Sequence, residues 1–289
     1  MRSNVLGSVV EEPAGIKKAS LGPRVMTATL YSVSVVVALA AGTYVTAVLF
    51  GVMAGLAAAE FYAMQRREDR LPNELFGAFA AAIMPLAAAL WGLSGTMSVM
   101  TALIAASLLW HTLIIRVRTA DTAEAIFGAA YTGFLLSYLV LIRDLNSGLV
   151  LSLALVLSVW LSDVGAFFIG SLIGRHKMAP VISPKKSWEG FVAGLVACVA
   201  IWALVPLVWT LIPDVPGQAP PLWLAIVTGV GVGVASVIGD LAESRIKREA
   251  GVKDSGTSLP GHGGFLDRLD SLILACLVAY WILVWGGVS

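Results

Sequence analysis

Residues 240–270 hold 11 of the 37 charged residues in this chain (19 basic, 18 acidic), with both signs interleaved among glycine, serine and one histidine. A solvated loop needs no such mixture. A site for a phosphorylated substrate and a metal does. Asp240, Ser244, Lys247 and Gly251 recur at helical spacing and share a face, and Glu243 neighbours Lys247 at i,i+4. Asp267 and Asp270, three apart, share a face at the start of the last apolar run. Two helices joined by a glycine-rich hairpin would bring Asp240 and Asp267 together. Two such carboxylates repel unless a positive charge sits between them. Mg2+ suits the place, because it takes one or two carboxylates and completes its shell with water and phosphate oxygens.

The connecting loop reads GTSLPGHGG, and Gly256, Gly261, Gly263 and Gly264 let the backbone approach an anion with N–H groups turned toward it. Lys247, Arg248, Lys253 and Arg268 supply positive charge, and an arginine grips phosphate through two parallel hydrogen bonds. His262 serves loop structure or a phosphate contact equally well. A plain loop facing lipid headgroups would carry the same basic residues; the carboxylates on both flanks argue against it.

A second stretch, residues 163–190, ends in Ser183-Pro184-Lys185-Lys186-Ser187-Trp188-Glu189-Gly190. Two lysines beside two hydroxyls form another anion-binding patch, or an ordinary basic loop. Asp163 differs, because it sits inside an apolar run about ten residues from that loop. An intramembrane carboxylate is costly and is by default a functional candidate; its alternative is a structural hydrogen bond to another helix. His111 and His176 have no partners at motif spacing and read as interfacial residues.

The elements that must position these groups follow from composition. Of 289 residues, 58% are hydrophobic and 13% charged, the mean hydropathy is +0.87 and the net charge +1. The charged share is half of the ~25% usual in soluble domains. This excludes a water-soluble globule, a disordered chain and a nucleic-acid binder. A spanning helix needs roughly 20 mainly apolar residues. The run from Val25 to Ala59 is uncharged and serves for two spans joined near Gly42. Further spans are Leu75 to Leu93, Thr96 to Ile115, Ala123 to Ile142, Leu149 to Ile173, Gly190 to Leu211, Leu222 to Gly239 and Ser271 to Gly287. Pro85 and Pro206 mark expected kinks. The expectation is an all-α polytopic membrane protein of about nine transmembrane helices. It divides into a tail (1–24), an N-terminal transmembrane region (25–145) and a catalytic transmembrane region (146–289).

Nine spans put 18 of the 19 basic residues on the side of the N-terminus and leave only Arg143 opposite. Basic residues favour the cytoplasmic face. The N-terminus and the active-site loops are therefore expected to be cytoplasmic, and the C-terminus on the other side of the inner membrane. Trp91, Trp209, Trp223 and Trp285 fall at the expected outer ends, as interfacial tryptophans do. The first 24 residues are too long and too acidic for a cleaved signal. Cys198 and Cys276, each in an apolar run, read as inert packing residues.

The run from Ser244 to Asp270, SRIKREAGVKDSGTSLPGHGGFLDRLD, resembles the signature of the phosphatidate cytidylyltransferases without a mismatch. Gly239, Asp240 and Glu243 before it are similar to the family as well. So is the upstream segment, with Asp163, Gly170, Gly174, Lys177, Pro180 and the run from Ser183 to Gly190. Phe167 stands where many members have tyrosine, so no role is carried to it. Lys185 occupies a variable position, which favours Lys186. The likeness is strong over about 160 to 275.

The resemblance implies transfer of the cytidylyl group of CTP to phosphatidate in the cytoplasmic leaflet, giving CDP-diacylglycerol and pyrophosphate for phospholipid synthesis. It implies Asp240 and Asp267 as metal ligands for Mg2+, with room for a second cation. Lys186, Lys253 and Arg268 would hold phosphates. Ser183, Ser187, Asp254, His262, Gly263, Gly264 and Asp270, with Lys247 and Arg248, would complete the substrate site. Asp163 would support it from inside the membrane. A homodimer is implied in the same way, and no nucleic-acid partner.

Two other readings stand beside it. One is a cytidylyltransferase acting on another lipid phosphate, such as an ether lipid. The other is a transporter, which places binding groups near mid-membrane on broken, repeated helices. No such repeat is visible, and the polar residues crowd one membrane face. A non-catalytic membrane scaffold would not need the 239–270 array.

Overall fold

The computed structural model describes residues 21–66, 73–212, 215–259 and 263–288. The tail up to residue 20 and His262 lie outside the described residues. Helix α1 (Leu21–Ala41) takes in residues 21–24, counted with the tail above. It meets α2 (Thr43–Gln65) at Gly42, whose φ of 117° is a left-handed conformation open to glycine, so the expected break falls where hydropathy put it. Helix α3 (Glu74–Leu113) opens with the Asn73 side chain accepting from Phe76 N at 3.3 Å.

At 40 residues α3 would be about 60 Å long, twice a bilayer core. It is instead a hairpin. Trp91 and Gly92 leave helical geometry, Thr96 Oγ1 donates to Met84 O at 3.4 Å, and the rings of Phe76 and Trp110 lie 6.0 Å apart. The two arms lie over the stretch where two spans are expected, divided at Trp91 and Gly92. The break comes at Gly92 (φ 62°), not at Pro85, which is buried within the first arm. Glycine adopts the left-handed turn that reverses the chain, whereas a proline only kinks it.

Helix α4 (Thr119–Ala129) runs through a π turn (Ala130–Phe134) into α5 (Leu135–Asp144), and α6 spans Gly148–Ile173. A short hairpin follows, with β1 (Lys177–Ala179) antiparallel to β2 (Ser183–Ser187). It adds two strands to an otherwise all-α architecture. Helix α7 (Trp188–Leu204) ends in a 3-10 turn (Val205–Leu207) containing Pro206, then α8 (Val208–Leu211). The last long helices are α9 (Leu222–Glu249) and α10 (Leu266–Trp285). Among the described residues, seven helices are long and apolar enough to cross a membrane, counting α3 once and omitting the shorter apolar Val25–Ala41.

Helix α6 packs on α7, α7 on α9, and α9 on α10; α2 packs on α3, and α5 on α10. Small residues carry the contacts, as in membrane bundles. A Cβ on Gly194 would come within 2.6 Å of Ser162 Oγ, and one on Gly190 within 2.8 Å of Ala166 O. Both cysteines are free and buried, as the apolar runs around them predict.

Candidate active site

Close helix crossings deliver the charged side chains. Gly190 and Gly194 let α7 lie against Ser162 and Ala166 of α6, which brings the β-hairpin alongside Asp163. Gly239 has no room for a side chain because the carbonyl of Asp270 occupies that space. The next residue, Asp240, is thereby set beside the first turns of α10. At the hairpin, Ser187 caps α7 by accepting from Gly190 N at 3.2 Å. His176 Nδ1 meets Glu189 Oε1 at 2.7 Å, and Trp188 N donates to His176 O at 2.9 Å, closing the hairpin onto the helix.

Successive residues of a strand point to opposite faces. Lys185 is exposed, while Lys186 turns inward and its Nζ meets Asp240 Oδ2 at 2.7 Å. The other Asp240 oxygen accepts from Ser244 Oγ at 3.3 Å. A cavity of about 280 Å³ opens over this pair. Ser183, Lys185, Lys186, Ser187 and Asp240 line it, and Asp163 forms its floor. A second cavity of about 300 Å³ lies on the other side of Asp163, where Tyr31 and Trp160 face Asp267, Arg268 and Asp270. The Asp163 carboxylate is reachable from both. It is exposed where the two cavities open, and Ser271 Oγ donates to its Oδ1 at 3.5 Å. Asp163, Asp240 and Asp270 share one electrostatic field, with Lys186 and Arg268 as countercharges to Asp163.

Asp267 is held on all sides. Its Oδ1 accepts from Lys247 Nζ at 2.6 Å. Its Oδ2 accepts from Ser255 N at 2.9 Å, Ser255 Oγ at 2.8 Å and Gly264 N at 2.8 Å. Lys247 also meets Glu243 Oε2 at 2.5 Å, and the Glu243 side chain is fully buried. Lys247 thus stands between two carboxylates rather than on the wall of either cavity. Arg248 Nη1 donates to Val252 O at 3.1 Å and closes the end of α9. Lys253 and Asp254 are exposed on the loop, outside both cavities. Gly263 (φ 78°) lies against Asp267 Oδ2.

Residues 22–285 match the profile of the cytidylyltransferase family. The chain belongs to that family. It is also similar to the phosphatidate cytidylyltransferase of Staphylococcus saprophyticus, with 42% identity over 153 residues, 53% of this chain and 55% of the relative. Over 164 residues it is 39% identical to the protein of the same name from Mycobacterium tuberculosis, covering 57% of this chain and 47% of the relative. Each match thus spans about half the length of the relative. The family match extends well upstream of the stretch where motifs alone are legible.

Two acidic residues assigned no site role from the sequence belong to this array. Glu243 is buried against Lys247. Glu60, on α2, is 8% exposed and contacts the loop that carries Ser255 and Gly264. The signal for Glu60 was present: it is the charge that ends the uncharged Val25–Ala59 run, the same anomaly that marks Asp163.

Proposed function

We propose that this protein transfers the cytidylyl group of CTP to phosphatidate, giving CDP-diacylglycerol and pyrophosphate. The observation that carries the reading is the pair of cavities meeting at Asp163, one walled by Lys186 and Asp240, the other by Asp267, Arg268 and Asp270. Membership of the family and the name its relatives carry support the substrate assignment.

The nucleophile is a phosphate monoester oxygen, largely ionised near neutral pH, so no strong base is required. It attacks the α-phosphorus of CTP and the bond to the β-phosphate oxygen breaks, releasing pyrophosphate. Two anions must approach each other, and the residues act by positioning and by charge neutralisation. Lys186 and Arg268 hold phosphates from the two cavities. Ser183 and Ser187 offer hydroxyls beside Lys186. Lys253, exposed on the loop, would reach phosphates from the cytoplasmic side, with Asp254 beside it to orient the charged groups and Gly263 and Gly264 near them.

The donor set fits Mg2+. A carboxylate offers about four lone-pair sites. Asp240 has one contact on each oxygen, and Asp267 Oδ1 has only Lys247, so both keep a free site. Among the described residues no three acidic, histidine or cysteine side chains are grouped so as to hold a metal ion. Asp240, on the first cavity and paired with Lys186, and Asp267, on the second and paired with Lys247, are the residues that would hold it, with Asp163 and Asp270 adding negative charge nearby. When bound, the ion supplies positive charge to the phosphates and to the departing pyrophosphate.

Counting the two arms of α3 separately and adding α1 makes nine spans, which restores the separation of 18 basic residues from Arg143. Arg143 Nε donates to Leu39 O at 2.7 Å near the end of α1, and Trp91, Trp223 and Trp285 are exposed at helix ends or turns. The N-terminus and catalytic loops would then be cytoplasmic. The lipid headgroup would enter from the cytoplasmic leaflet with its acyl chains left in the bilayer. A homodimer rests on the resemblance alone.

Labelled CTP with phosphatidate and Mg2+ is expected to give labelled lipid, and EDTA to stop it. No product from diacyl phosphate but product from diether phosphate would move the assignment to an ether lipid. Uptake of a solute into vesicles without CTP turnover would replace it with transport. Asp163→Asn is expected to lower turnover or metal affinity about tenfold while sparing the fold, because asparagine can still accept from Ser271 but adds no charge to the field. Unchanged kinetics and metal titration would remove Asp163 from the site.

A further inference from the structure

Glu60 lies 195 residues or more along the chain from the groups that surround it. Its Oε1 accepts from Ser258 Oγ at 2.6 Å and Phe265 N at 3.0 Å. Its Oε2 accepts from Ser255 Oγ at 3.1 Å and Leu266 N at 3.0 Å. Each oxygen therefore takes one hydroxyl and one backbone N–H. The backbone pair belongs to the start of α10, where N–H groups lack intrahelical acceptors and the helix dipole favours a negative charge. The loop is shaped to this carboxylate. A Cβ on Gly256 would come within 2.8 Å of Glu60 Oε1, and one on Gly264 would overlap Oε2.

The same loop residues hold Asp267. Ser255 and Gly264 donate to Asp267 through their N–H groups, and the Ser255 hydroxyl, with one proton to give, lies between Asp267 Oδ2 at 2.8 Å and Glu60 Oε2 at 3.1 Å. Glu60 ties the loop to α2, and the loop fixes the Asp267 carboxylate. We propose that Glu60 is a positioning residue for cytidylyl transfer: it is the post to which Ser255, Ser258, Phe265 and Leu266 are tied, and through Ser255 and Gly264 it sets the orientation of Asp267. This rests on the function proposed above.

The charge is needed as well as the shape. In Glu60→Gln one oxygen becomes an NH2 group. Whichever way the amide turns, a donor faces a backbone N–H that cannot rotate away. The loop must then move, and Asp267 moves with it. A residue that only stabilised the fold would lower the melting temperature and leave kcat per folded molecule unchanged.

The test uses the full chain in detergent. Glu60→Gln is expected to lower kcat about thirtyfold while KM for CTP changes less than about threefold, as for an interaction realised in the transition state. Lys253 is exposed on the tied loop, so trypsin cleavage after it is expected to quicken about tenfold, as local opening becomes easier. Cleavage after Lys177, exposed on the β-hairpin, is expected to stay the same. Ser258→Ala, which removes one of four donors, is expected to shift kcat and Lys253 cleavage the same way by about threefold, and it decides the matter if Glu60→Gln does not fold. Wild-type kcat with unchanged cleavage after Lys253, in whichever of the two variants folds, overturns the proposal. Failure of the wild type to turn over CTP would sink the reaction reading, and the cleavage comparison would still decide whether Glu60 ties the loop.

Discussion

Asp267→Asn is expected to lower cytidylyl transfer about a thousandfold, roughly 4 kcal/mol of transition-state stabilisation. The wild-type carboxylate accepts from Ser255 and Gly264 on one oxygen and from Lys247 on the other. Either orientation of an asparagine amide sets its NH2 against one of those donors, and the charge that would hold a cation is lost. The mutant should nevertheless fold. Glu243, Lys247 and Asp267 form a buried group of two carboxyl groups around one ammonium. Removing the Asp267 charge leaves Glu243 and Lys247 neutralising each other, so no isolated charge is stranded in the interior, the situation that makes broken buried pairs costly. The measurements are turnover with labelled CTP, a Mg2+ titration and the melting temperature in detergent. Near wild-type turnover in a well-folded mutant would dismiss Asp267 as a metal ligand.

The second large effect is an asymmetry between neighbours. Lys186→Ala is expected to lower the initial rate at saturating CTP about a hundredfold, whereas Lys185→Ala changes it by about threefold or less. Strand geometry turns Lys186 inward, where its ammonium meets Asp240 at 2.7 Å in a half-buried pair, and leaves Lys185 exposed at the cavity mouth. Deleting Lys186 removes a phosphate-holding charge and also leaves Asp240 without its countercharge, a penalty larger than that of any exposed pair. Lys186→Arg should recover part of the rate, because the charge returns with a different reach. Equal rates for the two alanine variants would return the segment to an ordinary basic loop at the headgroups.

The sequence alone determined what depends on local composition. Apolar run length placed the helices, and Gly42 broke α1 from α2 where the run was too long for one span. The density of mixed charge in 240–270, the glycines between Asp254 and Asp267, and a carboxylate inside an apolar helix point to the candidate site from sequence alone. These are properties of residues and their near neighbours, and hydropathy and spacing report them directly. The tertiary structure decided which charges meet. Helical periodicity puts Lys247 on the face with Asp240, but the crossing of α9 and α10 hands it to Glu243 and Asp267, and leaves Asp240 to Lys186 from the β-hairpin. Asp163 lines two cavities because α6 lies between α7 and the β-hairpin on one side and α1 and α10 on the other. Glu60 shows the reason in its clearest form. Its carboxylate could be flagged as an anomaly in a membrane helix, but its four donors lie about two hundred residues away, and no spacing rule spans that distance. Burial makes each of these charges require a partner, and the packing of distant helices selects which one it gets.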